Sequence, residues 1–263
     1  MTAEHIREAF AQQRAELLEA LAAAGLGHRV DEFAPLIRDT IKLTVLPPDD
    51  AATSAPTSRL AGKPELPLGT DWPRAEGEPL AFVGQLALAE IAPFDVHSKL
   101  PSEGLLSIFA GDPLDPNGVP APHARVIHTD ASTEVQLTEP PQAPRWWGWG
   151  RSKHPPDSQR IEFSPMAMLP PHGIKLQRDD TEYRDFRADF YDLANDPPCS
   201  GMLCFDRGDL GHSLASRELV LRLDEGPYSF DWVESVSLYI LIDSAALRNS
   251  DFAAATAHQS LYM

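Results

Sequence analysis

Ser58-Arg-Leu-Ala-Gly-Lys-Pro-Glu-Leu-Pro-Leu-Gly-Thr-Asp-Trp-Pro73 is the most heavily punctuated run in the chain. It is followed by Gly77-Glu-Pro-Leu-Ala-Phe-Val-Gly-Gln-Leu-Ala-Leu-Ala-Glu-Ile91 and then by Leu100-Pro-Ser-Glu-Gly-Leu-Leu-Ser-Ile-Phe109. Pro64, Pro67 and Pro73 each fix φ, remove a backbone donor and push the preceding residue towards extended geometry. With Gly62 and Gly69 between them they predict a stiff, non-repetitive loop rather than a helix or a strand. Leu66 and Trp72 are the side chains that such a loop drops onto a core. The two segments after it run apolar in short blocks, the mark of half-buried strands. The whole reads as a shaped loop closed over a sheet. Gln85 is either a strand residue that satisfies loop backbone or a ligand contact; because a buried amide has to be hydrogen-bonded, the expectation is that it ties the loop down.

These residues resemble the YwqG-like family, a bacterial domain of unknown function. Its G-x-P-x-L-P and W-P elements correspond to Gly62, Pro64, Leu66, Pro67, Trp72 and Pro73. Its P-L-x-F-x-x-Q-L element corresponds to Pro79, Leu80, Phe82, Gln85 and Leu86, and its L-P-x-x-G-x-L-x-F element to Leu100, Pro101, Gly104, Leu106 and Ile108. The resemblance extends to the C-terminal third, where Leu219-Val-Leu-Arg-Leu-Asp224 stands for L-L-L-Q-(I/L)-D and Trp232 opens the counterpart of W-G-D-x-G-x-L-x-F-F-I. Arg222 replaces the glutamine there, Val233-Glu234 replace Gly-Asp, and Val236 replaces the last glycine. The family carries no established activity. The resemblance implies relatives in toxin-associated gene neighbourhoods, and so a role of the immunity type.

Outside this frame, the chain in order predicts the following elements. Ile6, Phe10, Leu17, Leu21 and Ala24 recur at helical spacing over residues 3–24, with Thr2 as cap and Gly25 and Gly27 as the stop. Asp31 opens a short second helix, and Ile41, Leu43 and Val45 alternate with polar residues as a strand. Strands are expected at 124–129, 161–169, 219–224, 234–242 and 255–261, with a helix at 244–248. Residues 178–196 carry Tyr183, Phe186, Phe190 and Leu193 as one apolar helical stripe, their carboxylates forming the solvated face. Gly111 to Gly118 is a tight turn rather than a calcium loop, because its prolines break the alternation of oxygen ligands.

Leu219–Asp224 followed by Glu234–Ile242 repeats the pattern of Phe82–Leu86 followed by Glu103–Phe109. The expected fold is therefore α+β: two related β-rich halves with antiparallel or mixed sheets, an N-terminal helix and peripheral helices. All of it forms one domain over residues 1–263, the first half spanning about 40–130 and the second about 160–263.

The chain holds 39 acidic against 22 basic residues, a net charge of −17. That argues against nonspecific nucleic-acid or anionic-membrane binding, which needs a basic face; it serves solubility first and also suits a basic protein partner. Cys199 and Cys204 are spaced C-x4-C, which fits neither a redox nor a zinc motif. No cofactor and no metal is expected. No apolar run reaches the length of a membrane span, and the acidic N-terminus is unlike a signal peptide, so the expected location is cytoplasmic.

Three of the five tryptophans cluster in Arg145-Trp-Trp-Gly-Trp-Gly-Arg151. Arg145, Trp146, Trp147, Trp149 and Arg151 are either a loop folded back on the sheet or a contact surface for a partner. No nucleophile elbow, Walker loop, HExxH, dinucleotide fingerprint or paired CxxC occurs. The reading is a non-enzymatic binding protein; the alternative is a hydrolase or small-molecule-binding enzyme with its site in a cleft between the two halves.

Overall fold

Ile41 and Leu43 alternate with Lys42 and Thr44, and in the computed structural model of the chain they do form a strand. This strand, β1 (Arg38–Val45), lies near the middle of a ten-stranded antiparallel sheet. The structure describes residues 2–46, 57–111, 124–141, 158–169, 181–190, 200–203, 217–223 and 236–261. In chain order the remaining strands are β2 (Arg59–Leu60), β3 (Glu65–Pro67), β4 (Arg74–Ala75), β5 (Glu78–Pro79), β6 (Ala81–Ala87), β7 (Leu105–Ala110) and β8 (Ala124–Thr129). Then come β9 (Val135–Leu137), β10 (Gln159–Met168), β11 (Gly201–Met202), β12 (Arg217–Leu223), β13 (Val236–Asp243) and β14 (Thr256–Leu261).

The large sheet runs β14-β13-β12-β11-β1-β10-β2-β6-β7-β8. Its two edge strands, β8 and β14, come into contact, so the sheet is nearly closed on itself. One aliphatic core fills the inside, drawing Val83, Leu86, Leu106 and Ile108 from the first part of the chain and Val220, Leu221, Leu238 and Ile240 from the last. Burying side chains of this size from both sides contributes about 1.5–3 kcal/mol each.

The order contains an exchange. β1 belongs to the N-terminal part but pairs with β11 and β10, while β10 belongs to the C-terminal part and pairs with β1 and β2. The eight residues of β1 are in register with β10 from Arg38↔Met168 to Val45↔Ile161, which makes this the central seam.

Among the described residues five α-helices complete the fold: α1 (Ala3–Leu21), α2 (Val30–Phe33), α3 (Leu88–Ile91), α4 (Thr181–Phe190) and α5 (Ser244–Arg248). Thr2 caps α1, its hydroxyl accepting the His5 N–H. The regular helix stops at Leu21, short of the expected residue 24. A wider π turn (Ala22–Leu26) follows, in which Gly25 sits at φ 86°, so Leu26 is buried and Ala24 is exposed. Leu17, Leu21, Leu26, Phe33, Tyr183 and Phe186 form a second apolar cluster, in which Tyr183 of α4 stacks on Phe33 of α2 at 4.4 Å. Phe190, expected in the buried stripe, is 42% exposed because α4 docks by its first turns alone. Leu193 lies outside the described residues.

Two further departures concern the proline stretch. It contributes two short pieces of ladder rather than a loop free of strand: β2 enters the main sheet and β3 pairs with β9, while β4 pairs with β5 just beyond Pro73. β9 itself has no signature in the sequence, since Gln136 and Leu137 are both exposed and its three residues carry no clear alternation.

Candidate functional site

Register places Arg59 of β2 opposite Gln85 of β6, directly under the proline loop. Gln85 is fully buried; its Oε1 accepts the Glu65 N–H at 2.9 Å and its Nε2 donates to Glu65 Oε2 at 2.8 Å. The same carboxylate oxygen takes Arg59 Nη1 at 3.1 Å, and Arg59 Nη2 donates to the Lys63 carbonyl at 2.8 Å. The loop is thus clamped through both the backbone and the side chain of Glu65.

Beyond the clamp, Leu66 is fully buried against Leu80, Phe82 and Phe109. Trp72 is half-buried, sends its indole N–H to the Leu80 carbonyl at 2.8 Å and meets Phe109 edge-on at 5.3 Å. Pro64 is buried, while Pro67 and Pro73 are half-buried. Gly62 turns the chain at φ 76°, where a Cβ would stand 2.8 Å from Ser158 Cβ. Ser107, in register with Gln85 on the next strand, is buried, and its hydroxyl has no hydrogen-bond partner among the described residues.

Gln85, Glu65 and Arg59 therefore satisfy one another, and the chemistry they perform is to hold a loop. Gln85→Leu leaves the Glu65 N–H of the half-buried loop without its acceptor and removes a donor from the Glu65 carboxylate, and is expected to cost about 1–3 kcal/mol. Chemical denaturation of the variant beside wild type checks this.

A second feature lies where the π turn faces α4. Glu182, Asp185 and Asp189 follow one another along α4 at helical spacing. With Gly25, Leu26, His28 and Phe186 they surround a groove of about 480 Å³. Leu26 and Phe186 are its apolar floor, and Phe190 extends that surface outwards, its ring 5.5 Å from Phe186. The carboxylates are indeed on the solvated face, as helical periodicity requires. The periodicity could not reveal that the turn at Gly25 lies across from them.

Among the described residues no group of three or more His, Cys, Asp or Glu is arranged to hold a metal ion. His97 Nε2 approaches Asp39 Oδ2 at 3.3 Å, and the other Asp39 oxygen is paired with Arg14 Nε at 2.7 Å. This network joins α1, β1 and the α3–β7 connection. His128 tilts against Phe252 at 5.3 Å, and His258 against Tyr239 at 6.3 Å. Arg145, Trp146, Trp147, Trp149, Arg151, Trp232, Cys199, Cys204, His172 and His212 lie outside the described residues. No helix among the described residues is long and apolar enough to cross a membrane.

A comparison with curated proteins finds no match. The sequence profile of one family, described as Domain of unknown function (DUF1963), matches residues 58–259. The match begins at Ser58, where the clamped loop begins, runs through the sheet into β14, and covers most of the chain. The chain therefore belongs to the DUF1963 family, a domain of unknown function.

Proposed function

We propose that this protein is a non-enzymatic, cytoplasmic binding protein of the YwqG-like type that captures a basic protein, in the manner of an immunity protein neutralising a basic toxin. The observation that carries the reading is the groove between the π turn and α4, where three carboxylates rim an apolar floor. Apolar floor of this kind supplies contact area, and rim carboxylates select lysine and arginine and speed the encounter. The net charge of −17 adds a long-range field of the same sign.

The scaffold is proposed to be two related halves. In its support, the sheet order reads alike from either edge to the central seam. β6 shifts register between Phe82 and Gly84, and β12 between Leu219 and Leu221. The buried polar residues Gln85 and Arg222 follow those shifts at matching positions. The short strand beside each in the sheet, β2 and β11, is followed directly by a residue of positive φ, Ala61 at 56° and Leu203 at 54°. Arg145, Trp146, Trp147, Trp149 and Arg151 are proposed as a second contact, whose indoles offer large apolar area with few rotatable bonds.

The test is capture from the native host, followed by rebinding of the purified partner. It compares wild type, a Glu182→Lys/Asp185→Lys/Asp189→Lys variant and a Trp146→Ser/Trp147→Ser/Trp149→Ser variant, each with its thermal melt. A basic partner is expected to bind wild type, to leave at high salt, and to bind the lysine variant on the order of 100-fold more weakly with an unchanged melt. Equal binding by wild type and the lysine variant, or partners of acidic character only, sinks the reading. Serine substitution that lowers the melt while sparing the partner removes the tryptophan contact.

A further inference from the structure

β2 is two residues long, while its neighbour β10 runs on to Met168, which leaves a notch in the sheet beside residues 161–163. Glu90 of α3 and Phe94 border this notch, and between them and β10 lies an open cavity of about 270 Å³. Its lining includes Ser58, Glu90, Phe94, Arg160, Glu162 and Phe163.

Strand pairing decides which backbone groups face the cavity. Ile161 donates its N–H to the Ser58 carbonyl at 3.1 Å on the β2 side, whereas the Arg160 carbonyl accepts from Leu46 at 2.9 Å on the β1 side. Along an antiparallel strand, alternate residues direct N–H and C=O to the same edge. Those of Phe163, two residues beyond Ile161, therefore point into the notch. Farther along the same edge, Gln13 of α1 takes up the Ala167 N–H at 2.7 Å and donates to the Pro165 carbonyl at 3.2 Å.

The side chains add acceptors and apolar walls. Glu90 is held in place by the Ser58 N–H on its Oε2 at 3.0 Å, and Ser58 is itself 1% exposed with its Oγ accepting from Ala87. Glu162 has no ion pair among the described residues. Two carboxylates, those of Glu90 and Glu162, stand in the lining with one guanidinium, that of Arg160, which is itself engaged. A monocation suits the two carboxylates. Of the biological monocations, the guanidinium combines a planar face that rests on phenyl rings with forked N–H donors that match carboxylates and carbonyls. An ammonium, compact and strongly hydrated, uses such walls less well.

Resting on the reading of a basic protein partner, the geometry points to this cavity as the seat of one arginine side chain of that partner. The guanidinium lies against Phe94 and Phe163 and is hydrogen-bonded by Glu90 and the Phe163 carbonyl, while Glu162, whose side chain leaves the opposite face of β10, adds negative charge at the rim. The probe is N-acetyl-arginine methylamide titrated into the isotope-labelled full-length chain, with the citrulline analogue as its neutral isostere. Saturable amide shifts are expected at Ser58, Glu90 and residues 161–163, with none from citrulline. Binding should be about tenfold weaker for the Glu90→Gln/Glu162→Gln variant, in which the new amide oxygen at position 90 can still accept the Ser58 N–H.

Shifts that do not saturate, that citrulline reproduces, or that the double variant leaves unchanged overturn the site. The purified partner gives the second arm: weaker binding by the double variant supports the side-chain source, and equal binding overturns it even where the free probe saturates. The α4 lysine variant does not touch this cavity, so its failure to release the partner counts against the groove reading alone.

Discussion

Gly104→Ala is expected to lower the melting temperature by roughly 5–15 °C. Gly104 sits at φ 102° just before β7, and its carbonyl accepts the Leu88 N–H at 2.9 Å, fixing the start of α3. A Cβ there would stand 2.5 Å from the Thr129 carbonyl oxygen and 3.2 Å from His128 Nε2. The oxygen cannot swing aside, because Thr129 is held in the β7–β8 ladder opposite Leu105. Strain at a positive φ and overpacking against backbone together cost about 2–4 kcal/mol, and for a chain of this size each kcal/mol shifts the midpoint by about 2–4 °C. Differential scanning calorimetry on the purified variant gives the number directly. A midpoint within about a degree of wild type means that the turn has another way to pass Thr129.

Trp72→Ala is the second large effect, about 3 kcal/mol. The change removes the ring that meets Phe109 at 5.3 Å and leaves the Leu80 carbonyl without its 2.8 Å donor. Half-burial keeps the cost at the lower end of the range for large-to-small core changes. Trp72→Phe separates the two contributions, keeping most of the packing while losing the N–H, and should cost about 1 kcal/mol. Urea titration of both variants checks the pair. Wild-type midpoints for Trp72→Ala would mean that the proline loop is a free recognition element and not a lid over Leu66, Leu80 and Phe82.

What the sequence made legible follows the range of the forces involved. Ile41 and Leu43 could be assigned to a strand, and Tyr183 and Phe186 to a buried helix face, because burial has a local period. Gln85 could be assigned to the proline loop because a buried amide must find partners close by. Its partner Glu65 was not legible: the pairing depends on the register of β2 against β6, which no short-range pattern encodes. Phe190 obeyed the helical stripe yet is exposed, since the stripe says which side faces inwards but not where the neighbouring element ends. The acidic groove escaped for a related reason. Glu182, Asp185 and Asp189 look like any solvated face until the turn at Gly25 is brought across from them by the packing of Tyr183 on Phe33. The notch beside Phe163 exists only because β2 is shorter than β10, a difference of length between strands about a hundred residues apart.

The exchanged central strands set a timetable for the newborn chain. β1 emerges from the ribosome early, but its partners begin at Gln159 and Gly201. About 110 residues separate Val45 from Gln159, which at roughly 5–20 residues per second is on the order of 5–20 s of translation. Through that interval the β6–β7–β8 meander can close on itself by contacts between near neighbours, while Ile41 and Leu43 wait with no sheet to join. On a polysome the waiting strand of one copy is within reach of the finished β10 of another, and the seam that locks one molecule together would equally well stitch two. The chance of such an exchange grows with the time the ribosome takes to deliver residues 159–168.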